Sequence, residues 1–396
     1  MRYDICVIGG FGHVGLPLSI AFADRGLNVC AFDISRETYD VISSGKMPFL
    51  EYGAEEVLGR VLAGGKLTLS FSPDAISAAD ALVVVVGTPV DRHLNPEFEE
   101  LRKVIDSYLP YFRDGQLLVL RSTVYPGTTE KIYHFLKERG RRMEVSFCPE
   151  RIAEGYAMKE LFELPQIVSS FTAEGMAKAS DLFRVLAPEI IELLPIEAEL
   201  AKLFTNSWRY IKFSVANQFF MTAGDCDADY YRIHHAITHH YPRAQDLPLP
   251  GFAAGPCLFK DTVQLSAFNN HTFYLGHAAL LINEGLPYYL VSRLKRKYDL
   301  KTKTVGILGM AFKADVDDRR ESLSFKLKKI LEFESGAVLC SDVYIKERGF
   351  VGADELIGRS DIIILACPHK EYGALSLPAG KPVIDVWNVY GKGSCL

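Results

Sequence analysis

The sequence predicts an α/β protein in which two Rossmann-like, doubly wound domains are joined by a long central helix and a helical middle domain. Short apolar strands alternate with helical patterns at both ends of the chain, and the first strand of each region runs into a glycine. Between them, residues 196–223 form a helical pattern without proline or glycine. We therefore expect domains at 1–195, 196–297 and 298–396.

The composition limits the classes of function. The 396 residues are 48% hydrophobic and 23% charged, which suits two or three domains. A net charge of −5 without a long basic run argues against nucleic acid and membrane surfaces, so we expect a small-molecule partner. No apolar run approaches the ~18 residues of a membrane span. The eight cysteines are scattered singly and a strand begins by Tyr3, so we expect no signal peptide, reduced thiols and a cytoplasmic location.

A glycine turn follows the first strand, predicted at 3–8, and leads into a helix at 16–25. The turn fits G-x-G-x-x-G through Gly10, Gly12, His13, Val14 and Gly15. Such glycines permit a tight turn and let a pyrophosphate approach the backbone. Asp33 ends a second strand at 28–32, where a carboxylate binds an adenosine ribose and repels a 2′-phosphate. This unit predicts a site for NAD rather than NADP.

Polar residues follow three further strands, predicted at 81–86, 117–121 and 144–147. In a parallel sheet these strand ends meet at one edge, where ligands bind. The residues there are Thr88, Pro89, Ser122, Thr123 and Glu150. Turn formation and capping are the plainer interpretation. Glu154 follows Glu150 by four residues, so a helical turn would bring the two carboxylates together.

The predicted central helix carries Lys202 and Asn206 four residues apart, hence on one face. A lysine on a helix is ordinarily a solvated surface charge. Paired histidines follow within 234–240, but no cysteine or carboxylate cluster completes a ligand set, so we expect no metal site. A further helix is predicted at 276–298, interrupted at Pro287.

One loop holds the candidate nucleophile. The stretch Pro250-Gly-Phe-Ala-Ala-Gly-Pro-Cys-Leu-Phe-Lys-Asp261 is too rich in small residues to be a core segment. Lys260 and Asp261 lie one helical turn after Cys257, and a nearby cation or carboxylate tunes a thiol. Thiolates attack carbonyl carbons well, so Cys257 is predicted to be catalytic. The alternative is a buried, unreactive cysteine on a tight turn.

The C-terminal region repeats the pattern of strand, glycine and helix. Strands are predicted at 304–308, 337–340, 361–366 and 382–384, with a helix from about Ser324. Gly309 follows the first of these strands, so a second nucleotide-binding fold is expected.

Eight motifs, in order between Ile5 and about Gly391, resemble those of the UDP-glucose/GDP-mannose dehydrogenase family. They are Gly10-Phe-Gly-His-Val-Gly-Leu-Pro17, Gly87-Thr-Pro89, Ser122-Thr-Val-Tyr-Pro-Gly-Thr-Thr129, Cys148-Pro-Glu-Arg-Ile-Ala-Glu-Gly155, Lys202-Leu-Phe-Thr-Asn206, Cys257-Leu-Phe-Lys-Asp261, Gly309-Met-Ala-Phe-Lys313 and Asp318-Arg-Arg-Glu-Ser322. The resemblance implies an enzyme that oxidises C6 of a nucleotide sugar twice, from alcohol to carboxylate, with NAD. It implies an N-terminal NAD-binding domain, a C-terminal domain for the nucleotide of a UDP-sugar, and a homodimer through the central helix.

The same resemblance implies residue roles. Cys257 would form a thiohemiacetal and then a thioester, and Asp261 would position or activate the thiol and a water. Lys202 and Asn206 would stabilise the oxyanion. Glu150 would be the base for thioester hydrolysis, and Thr123 and Glu154 would hold the water.

Binding residues follow in the same way. The sugar nucleotide would contact Glu150, Arg151, Glu154, Lys202, Asn206, Arg243, Phe252, Gly255, Phe312 and Lys313. The NAD site of the glycine turn and Asp33 would be completed by Thr88, Pro89, Ser122, Thr123, Glu154, Lys260 and Arg320.

The chain departs from the family at two places. The segment Phe252-Ala-Ala-Gly-Pro256 is one residue longer and bulkier than the usual loop before the cysteine. Thr38 stands five residues after Asp33, where a basic residue is usual, and Arg36 is the candidate substitute. The form Cys148-Pro-Glu-Arg is similar to branches that act on UDP-N-acetylhexosamines. The expected substrate is therefore a UDP-N-acetylhexosamine or UDP-glucose, with GDP-mannose as the alternative.

Two other classes compete. Tyr133-His-Phe-Leu-Lys137 satisfies Y-x-x-x-K, as in short-chain dehydrogenases and sugar-nucleotide epimerases, but this interpretation leaves the cysteine loop and the C-terminal region without a role. An inactive NAD-binding regulator would be indicated by loss of Cys257, Lys202 or Glu150, which are all present.

Overall fold

The computed structural model describes residues 2–87 and 98–392, and the chain divides into two compact units. The first unit is Met1–Thr205 and the second unit is Asn206–Leu396. Each unit is built on its own sheet, with eight strands in the first and four in the second. No helix of the described residues is long and apolar enough to cross a membrane.

The first unit alternates strands and helices. Its strands are β1 (Tyr3–Ile8), β2 (Val29–Phe32), β3 (Leu67–Ser70), β4 (Ala79–Val84), β5 (Leu117–Leu120), β6 (Glu144–Phe147), β7 (Gln166–Ser170) and β8 (Ile190–Leu193). Its helices are α1 (Gly15–Asp24), α2 (Arg36–Ser43), α3 (Ala54–Ala63), α4 (Asp74–Ser77), α5 (Phe98–Tyr108), α6 (Thr128–Glu138), α7 (Ala157–Glu163) and α8 (Ala173–Arg184). The long helix α9 (Pro195–Asp225) begins here and continues into the second unit.

The sheet of the first unit has the strand order β3-β2-β1-β4-β5-β6-β7-β8. The order reverses between β1 and β4, which is the point where doubly wound folds bind ligands. Alternate strand residues enter two apolar clusters: Ile5, Val7 and Val83 belong to one, and Ile8 and Leu82 belong to the other. Helices therefore cover both faces of the sheet. The five strands that the sequence predicts here, β1, β2, β4, β5 and β6, are parallel as expected. The strand β7, which the sequence analysis did not identify, pairs antiparallel with β6.

The second unit contains the predicted C-terminal sheet. Its strands are β9 (Thr304–Leu308), β10 (Ala337–Ser341), β11 (Ile362–Leu365) and β12 (Val383–Asp385), in the order β10-β9-β11-β12 and all parallel. Its helices after α9 are α10 (Tyr230–Thr238), α11 (Leu258–Phe268), α12 (Tyr274–Lys297), α13 (Leu323–Glu334) and α14 (Ala353–Arg359).

The predicted interruption at Pro287 is wrong, because α12 runs through it without a break. A proline inside a helix removes one backbone hydrogen bond and crowds the carbonyl four residues earlier. Leu286 and Leu290, on either side of Pro287, are fully buried in the core of the second unit. Their packing holds this turn helical despite the local cost.

Candidate active site

The glycine turn after β1 is shaped by close backbone contacts. Gly9 has a φ of 84°, and a Cβ there would lie 2.2 Å from the Val85 carbonyl oxygen. A Cβ at Gly15 would lie 2.2 Å from the Gly9 carbonyl oxygen. At Gly12 the nearest atom to a Cβ is 3.7 Å away, so the fold itself leaves room for a side chain there. The helix α1 has no side-chain cap, and its Leu16 amide donates to the Gly12 carbonyl at 2.9 Å. The positive end of the helix dipole therefore lies at the turn, where it favours a pyrophosphate that passes over Gly12.

Asp33 joins the glycine turn to the end of β2. Its Oδ2 accepts a hydrogen bond from the Phe11 amide (3.1 Å), and its Oδ1 accepts from the Ile34 and Ser35 amides (2.7 and 3.3 Å). The half-buried carboxylate is therefore fixed beside the turn, as a ribose-binding acid must be. Three amide donors leave it further acceptor capacity.

The two positions near Asp33 that depart from the family have local roles. Thr38 lies in the first turn of α2, where its amide donates to the Ser35 hydroxyl (3.3 Å) in a helix cap. Arg36 is exposed, and its guanidinium lies 5.3 Å from the ring centre of Phe71. The guanidinium of Arg36 is thus held against an aromatic face.

The segment after β6 is not helical, so Glu150 and Glu154 do not lie on one face of a helical turn. The amides of Arg151 and Ile152 turn back to Glu150 Oε1 (2.7 and 2.9 Å), which fixes a tight turn instead of a helix. Glu154 Oε1 lies 2.6 Å from His13 Nδ1, and the His13 ring stacks on Phe49 with centroids 4.1 Å apart. Two residues predicted to bind NAD, His13 and Glu154, are therefore in contact.

Arg121 is a site residue that the sequence argument missed. Its side chain is fully buried and forms an ion pair with Glu150. It also donates to the Cys148 carbonyl (3.1 Å) and to Gln166 Oε1 (3.0 Å). The signal was an arginine directly after the apolar strand β5, since a buried arginine must find a carboxylate or carbonyl partner. The pairing fixes the position of the Glu150 carboxylate.

A buried carboxylate holds the other end of the same segment. Glu51 accepts hydrogen bonds from the amides of Gly155 (3.1 Å) and Ala157 (2.7 Å), where α7 begins. Burial raises the pKa of Glu51, although these amide hydrogen bonds oppose the shift. Sequence patterns gave no sign of this contact, because Glu51 lies about a hundred residues earlier in the chain.

Two further strand-end residues, Ser122 and Thr123, lie just after β5. Ser122 follows β5 and its hydroxyl donates to the Val86 carbonyl (2.6 Å), while Thr123 beside it is half-buried. Thr88 and Pro89 lie outside the described residues.

The start of α9 is tied to the helix that follows β5. Glu199 is 1% exposed and accepts hydrogen bonds from the amides of Gly127 (2.6 Å) and Thr129 (2.8 Å) at the start of α6. Burial raises the pKa of Glu199, against the effect of its hydrogen bonds to Thr129 and Gly127. Lys202 lies one turn further along α9 and is also buried, at 9% exposure. A buried lysine excludes the interpretation of Lys202 as a solvated surface charge.

In the second unit, Cys257 stands at the N-cap of α11 and is exposed. The alternative of a buried thiol at this position is therefore wrong. Cys257 therefore lies at the positive end of the α11 dipole, where negative charge is stabilised. Burial instead raises the pKa of Cys148 to about 12 and that of Cys340 to about 11, so those two thiols remain protonated and unreactive.

Asn206 of α9 contacts Asp261, which lies in the first turn of α11. Asn206 Nδ2 donates to Asp261 Oδ2 at 2.5 Å, and the Asp261 amide donates to the Cys257 carbonyl at 2.9 Å. Lys260 Nζ lies 3.9 Å from Asp261 Oδ1. Asp261 is fully buried, so its carboxylate does not contact solvent directly and can act only through the residues that touch it.

The loop before Cys257 is fixed by a pair of buried asparagines that the sequence argument also missed. Asn217 Oδ1 accepts from the Gly251 amide (2.8 Å), and its Nδ2 donates to the Gly251 carbonyl (3.0 Å). The same Nδ2 donates to Asn283 Oδ1 (2.9 Å). All of these atoms belong to buried residues on α9, α12 and the loop.

Phe312 lies against the other end of the cysteine loop. Gly255 has a φ of 102°, and a Cβ there would lie 2.5 Å from the Phe312 ring. The Gly255 amide donates to the Glu321 carbonyl at 3.3 Å. Lys313 follows Phe312 and is half-buried, and Phe252 is buried in the core. The loop with Cys257 and the loop after β9 are therefore neighbours.

Two predicted arginines are held by residues close in sequence. Arg320 Nε donates to Asp318 Oδ2 at 2.7 Å. Arg243 is exposed, and its Nε donates to the Tyr241 hydroxyl at 2.7 Å. Within either unit, the described residues bring no three His, Cys, Asp or Glu ligand atoms within 4.8 Å of one another.

Three models of the UDP-glucose/GDP-mannose dehydrogenase family match the chain: the NAD binding domain at residues 3–187, the central domain at 196–284 and the UDP binding domain at 306–392. A UDP-N-acetyl-D-mannosamine dehydrogenase of Yersinia pestis is 26% identical and covers 99% of both chains. The structure of a UDP-D-ManNAc dehydrogenase from Pyrococcus horikoshii is 27% identical, with a TM-score of 0.91 over 98% of this chain and 96% of that chain. A UDP-glucose dehydrogenase from Pyrobaculum islandicum is 27% identical, with a TM-score of 0.90 over 97% and 94%.

Proposed function

The chain belongs to the UDP-glucose/GDP-mannose dehydrogenase family, and from this premise we propose how its residues carry out the reaction. It is an NAD-dependent nucleotide-sugar 6-dehydrogenase whose C-terminal domain binds a UDP-sugar. The short-chain alternative is set aside, because the three models of this family together match the chain from residue 3 to residue 392. The proposed domains are 1–195, 196–297 and 298–396.

Cys257 is the proposed nucleophile, and its exposure at the N-terminus of α11 is the observation that carries this assignment. Bound NAD⁺ accepts a hydride in each of two oxidations. Between them, Cys257 Sγ bonds to the aldehyde carbon and the carbonyl oxygen takes a proton, giving a thiohemiacetal. Oxidation of that carbon leaves a thioester, and water then breaks the C–S bond to release the carboxylate and the thiol. One water enters per sugar, and two NADH and three protons are produced.

Lys202 and Asn206 are proposed to stabilise the oxyanion of these intermediates, and Asp261 to set the position of Asn206. The support is the burial of Lys202 and the 2.5 Å hydrogen bond between Asn206 and Asp261. Buried donors act on developing charge more strongly than solvated ones. Glu150 is the proposed base for thioester hydrolysis, and its ion pair with the buried Arg121 holds this carboxylate in place.

The NAD site is proposed to comprise the glycine turn, Asp33, Ser122, Thr123 and the pair of His13 with Glu154. Thr88, Pro89, Lys260 and Arg320 complete the proposed set. The support is the room above Gly12 and the position of Asp33 beside the turn. Arg151, Arg243, Phe252, Gly255, Phe312 and Lys313 are the proposed contacts of the sugar nucleotide, and the packing of Phe312 on Gly255 supports this.

The proposed substrate is a UDP-N-acetylhexosamine, with UDP-N-acetyl-D-mannosamine as the first to test. Relatives with that activity align over nearly the whole chain, and the form Cys148-Pro-Glu-Arg agrees with it. UDP-glucose is the second candidate, because the Pyrobaculum islandicum structure matches the fold as closely.

A homodimer through α9 is proposed from the exposed apolar side chains along this helix. Phe204, Trp208, Val215 and Phe219 follow one another at helical spacing and are each more than a third exposed. We also propose a reducing, cytoplasmic location, since Cys6 and Cys30 are register partners on β1 and β2 and are not bridged.

The test is NADH formation from UDP-GlcNAc, UDP-ManNAc, UDP-GalNAc, UDP-glucose and GDP-mannose. We expect two NADH and one uronate per sugar, with little aldehyde released. Cys257→Ala should abolish uronate formation, while Cys226→Ala, which removes another exposed cysteine, should leave it unchanged. One NADH per sugar with a ketone or aldehyde product would contradict the proposal.

A further inference from the structure

The second unit repeats the nucleotide-binding turn of the first in its hydrogen bonds. The Gly9 amide donates to the Phe32 carbonyl, and the Gly309 amide donates to the Ser341 carbonyl, both at 2.9 Å. Gly9 and Gly309 share a positive φ, 84° and 91°. Asp33 follows β2 directly and Asp342 follows β10 directly, so Asp342 holds the position of the ribose-binding acid.

The Asp342 carboxylate has no hydrogen-bond acceptor position left for a ribose hydroxyl. Its Oδ2 accepts from the amides of Met310 (2.6 Å) and Ala311 (3.0 Å), and its Oδ1 accepts from those of Tyr344 and Ile345 (2.8 and 2.9 Å). His369 Nε2 lies 3.1 Å from Oδ2 as a fifth partner. The carboxylate is fully buried, and five partners exceed its roughly four acceptor positions. The acceptor positions of Asp342 are therefore filled by four backbone amides and the His369 ring.

His369 extends this hydrogen-bonded cluster to the loop after β9. The ring is fully buried, and its Nδ1 accepts a hydrogen bond from the Asp315 amide at 2.9 Å. Nδ1 therefore has no proton, and Nε2 carries the proton that it donates to Asp342. Asp315 has a φ of 58°, and its Oδ1 accepts from the Lys370 amide at 3.1 Å. The backbone amide and the side chain of Asp315 are thus both hydrogen-bonded to the segment that contains His369.

Asp315 is the tip of the loop that carries Phe312 and Lys313. The base of this loop is closed by the Phe312 amide, which donates to the Asp318 carbonyl at 3.0 Å. With base and tip both fixed, Phe312 is held against Gly255 of the cysteine loop. We propose that His369 is a positioning residue for the UDP group, because it holds Asp315 and thereby orients Phe312 and Lys313. This inference rests on the proposed substrate contacts of Phe312 and Lys313.

Two substitutions of His369 separate its two hydrogen bonds. The amide oxygen of His369→Asn lies near the place of Nδ1 and can accept from the Asp315 amide. The amide of His369→Gln reaches the place of Nε2 and can donate to Asp342, but leaves the Asp315 amide without its acceptor. The full-length variants are compared for UDP binding by calorimetry, NAD binding, and KM and kcat for the UDP-sugar that the wild type oxidises.

We expect His369→Gln to raise the Kd for UDP and the KM for the sugar about tenfold, the order expected for loss of one ordered contact, with a smaller change in kcat. His369→Asn should stay within about threefold of the wild type, and NAD affinity should not change in either. Equal effects of the two variants, or equal loss of NAD and UDP affinity, would overturn the inference. A wild type that binds UDP but oxidises no UDP-sugar would instead contradict the proposed function, leaving the UDP comparison valid.

Discussion

The substitution Asn217→Ala should loosen the loop that carries Cys257. Asn217 is fully buried, and its amide group makes two hydrogen bonds to the backbone of Gly251 and one to Asn283. Alanine removes all three. The Gly251 amide and Asn283 Oδ1 then lose these partners within the interior of the second unit, while the Gly251 carbonyl still accepts from the Ala253 amide (2.9 Å).

The cost follows from the two groups that lose their partners. A buried polar group left unpaired costs about 1–3 kcal/mol, so the Gly251 amide and Asn283 Oδ1 together cost about 2–6 kcal/mol of unfolding free energy. Relaxation is limited, because a Cβ at Gly251 would lie 2.3 Å from the Trp387 ring. Against a stability of about 5–15 kcal/mol, most of this range leaves the protein folded at 25 °C with a displaced loop.

Two measurements check this prediction. Urea unfolding should give the loss of stability, and the alkylation rate of Cys257 by iodoacetamide, followed by peptide mass spectrometry, should change. Asn283→Ala is the matched control, since it keeps both bonds from Asn217 to Gly251, and it should cost less than half as much. A loss below about 1 kcal/mol for Asn217→Ala, with unchanged alkylation of Cys257, would refute the reasoning.

Three further predictions concern the coenzyme, the loop and pH. Asp33→Ala should weaken the binding of NAD and reduce the preference of the enzyme for NAD over NADP. Equal kcat/KM values for the two coenzymes in the wild type would contradict this prediction. Gly255→Ala should lower kcat/KM for the sugar at least about tenfold, because its Cβ meets Phe312, whereas Gly26→Ala, also at positive φ but in open space, should cost only about 1–2 kcal/mol of stability. Burial raises the pKa of Glu199 above its usual 4.5, so its contribution to stability is fully present below 4.5 and is lost as pH rises through the folded value. Urea unfolding between about pH 4 and 7 should therefore show a steeper decline for the wild type than for Glu199→Gln, and parallel curves would count against the effect.

The sequence was most informative where local pattern determines backbone geometry. The glycine turn with Asp33 was predictable because glycine spacing and strand ends specify one short segment. The same holds for the strands of the C-terminal sheet and for α9, where an uninterrupted apolar period is sufficient.

Contacts between residues distant in sequence escaped prediction. Arg121 with Glu150 and Asn217 with Gly251 are separated by 29 and 34 residues, and no local period relates them. Local rules were also overridden twice: core packing keeps α12 helical through Pro287, and backbone amides draw Glu150 into a turn instead of a helix. The antiparallel pairing of β7 with β6 likewise depends on how the chain returns to the sheet, which strand composition does not encode.

The most direct test of the central claim is to trap the acyl-enzyme on Cys257. Glu150→Gln keeps the shape of the proposed base and removes its basicity, which typically costs 10²–10⁴-fold in the step that needs the base. Hydride transfer does not use that base, so a burst of NADH should precede a slow steady state. Acid quenching during that phase, followed by peptide mass spectrometry, should find a uronyl adduct on the peptide that holds Cys257. An adduct on another cysteine, or a slow enzyme with neither burst nor adduct, would contradict the account.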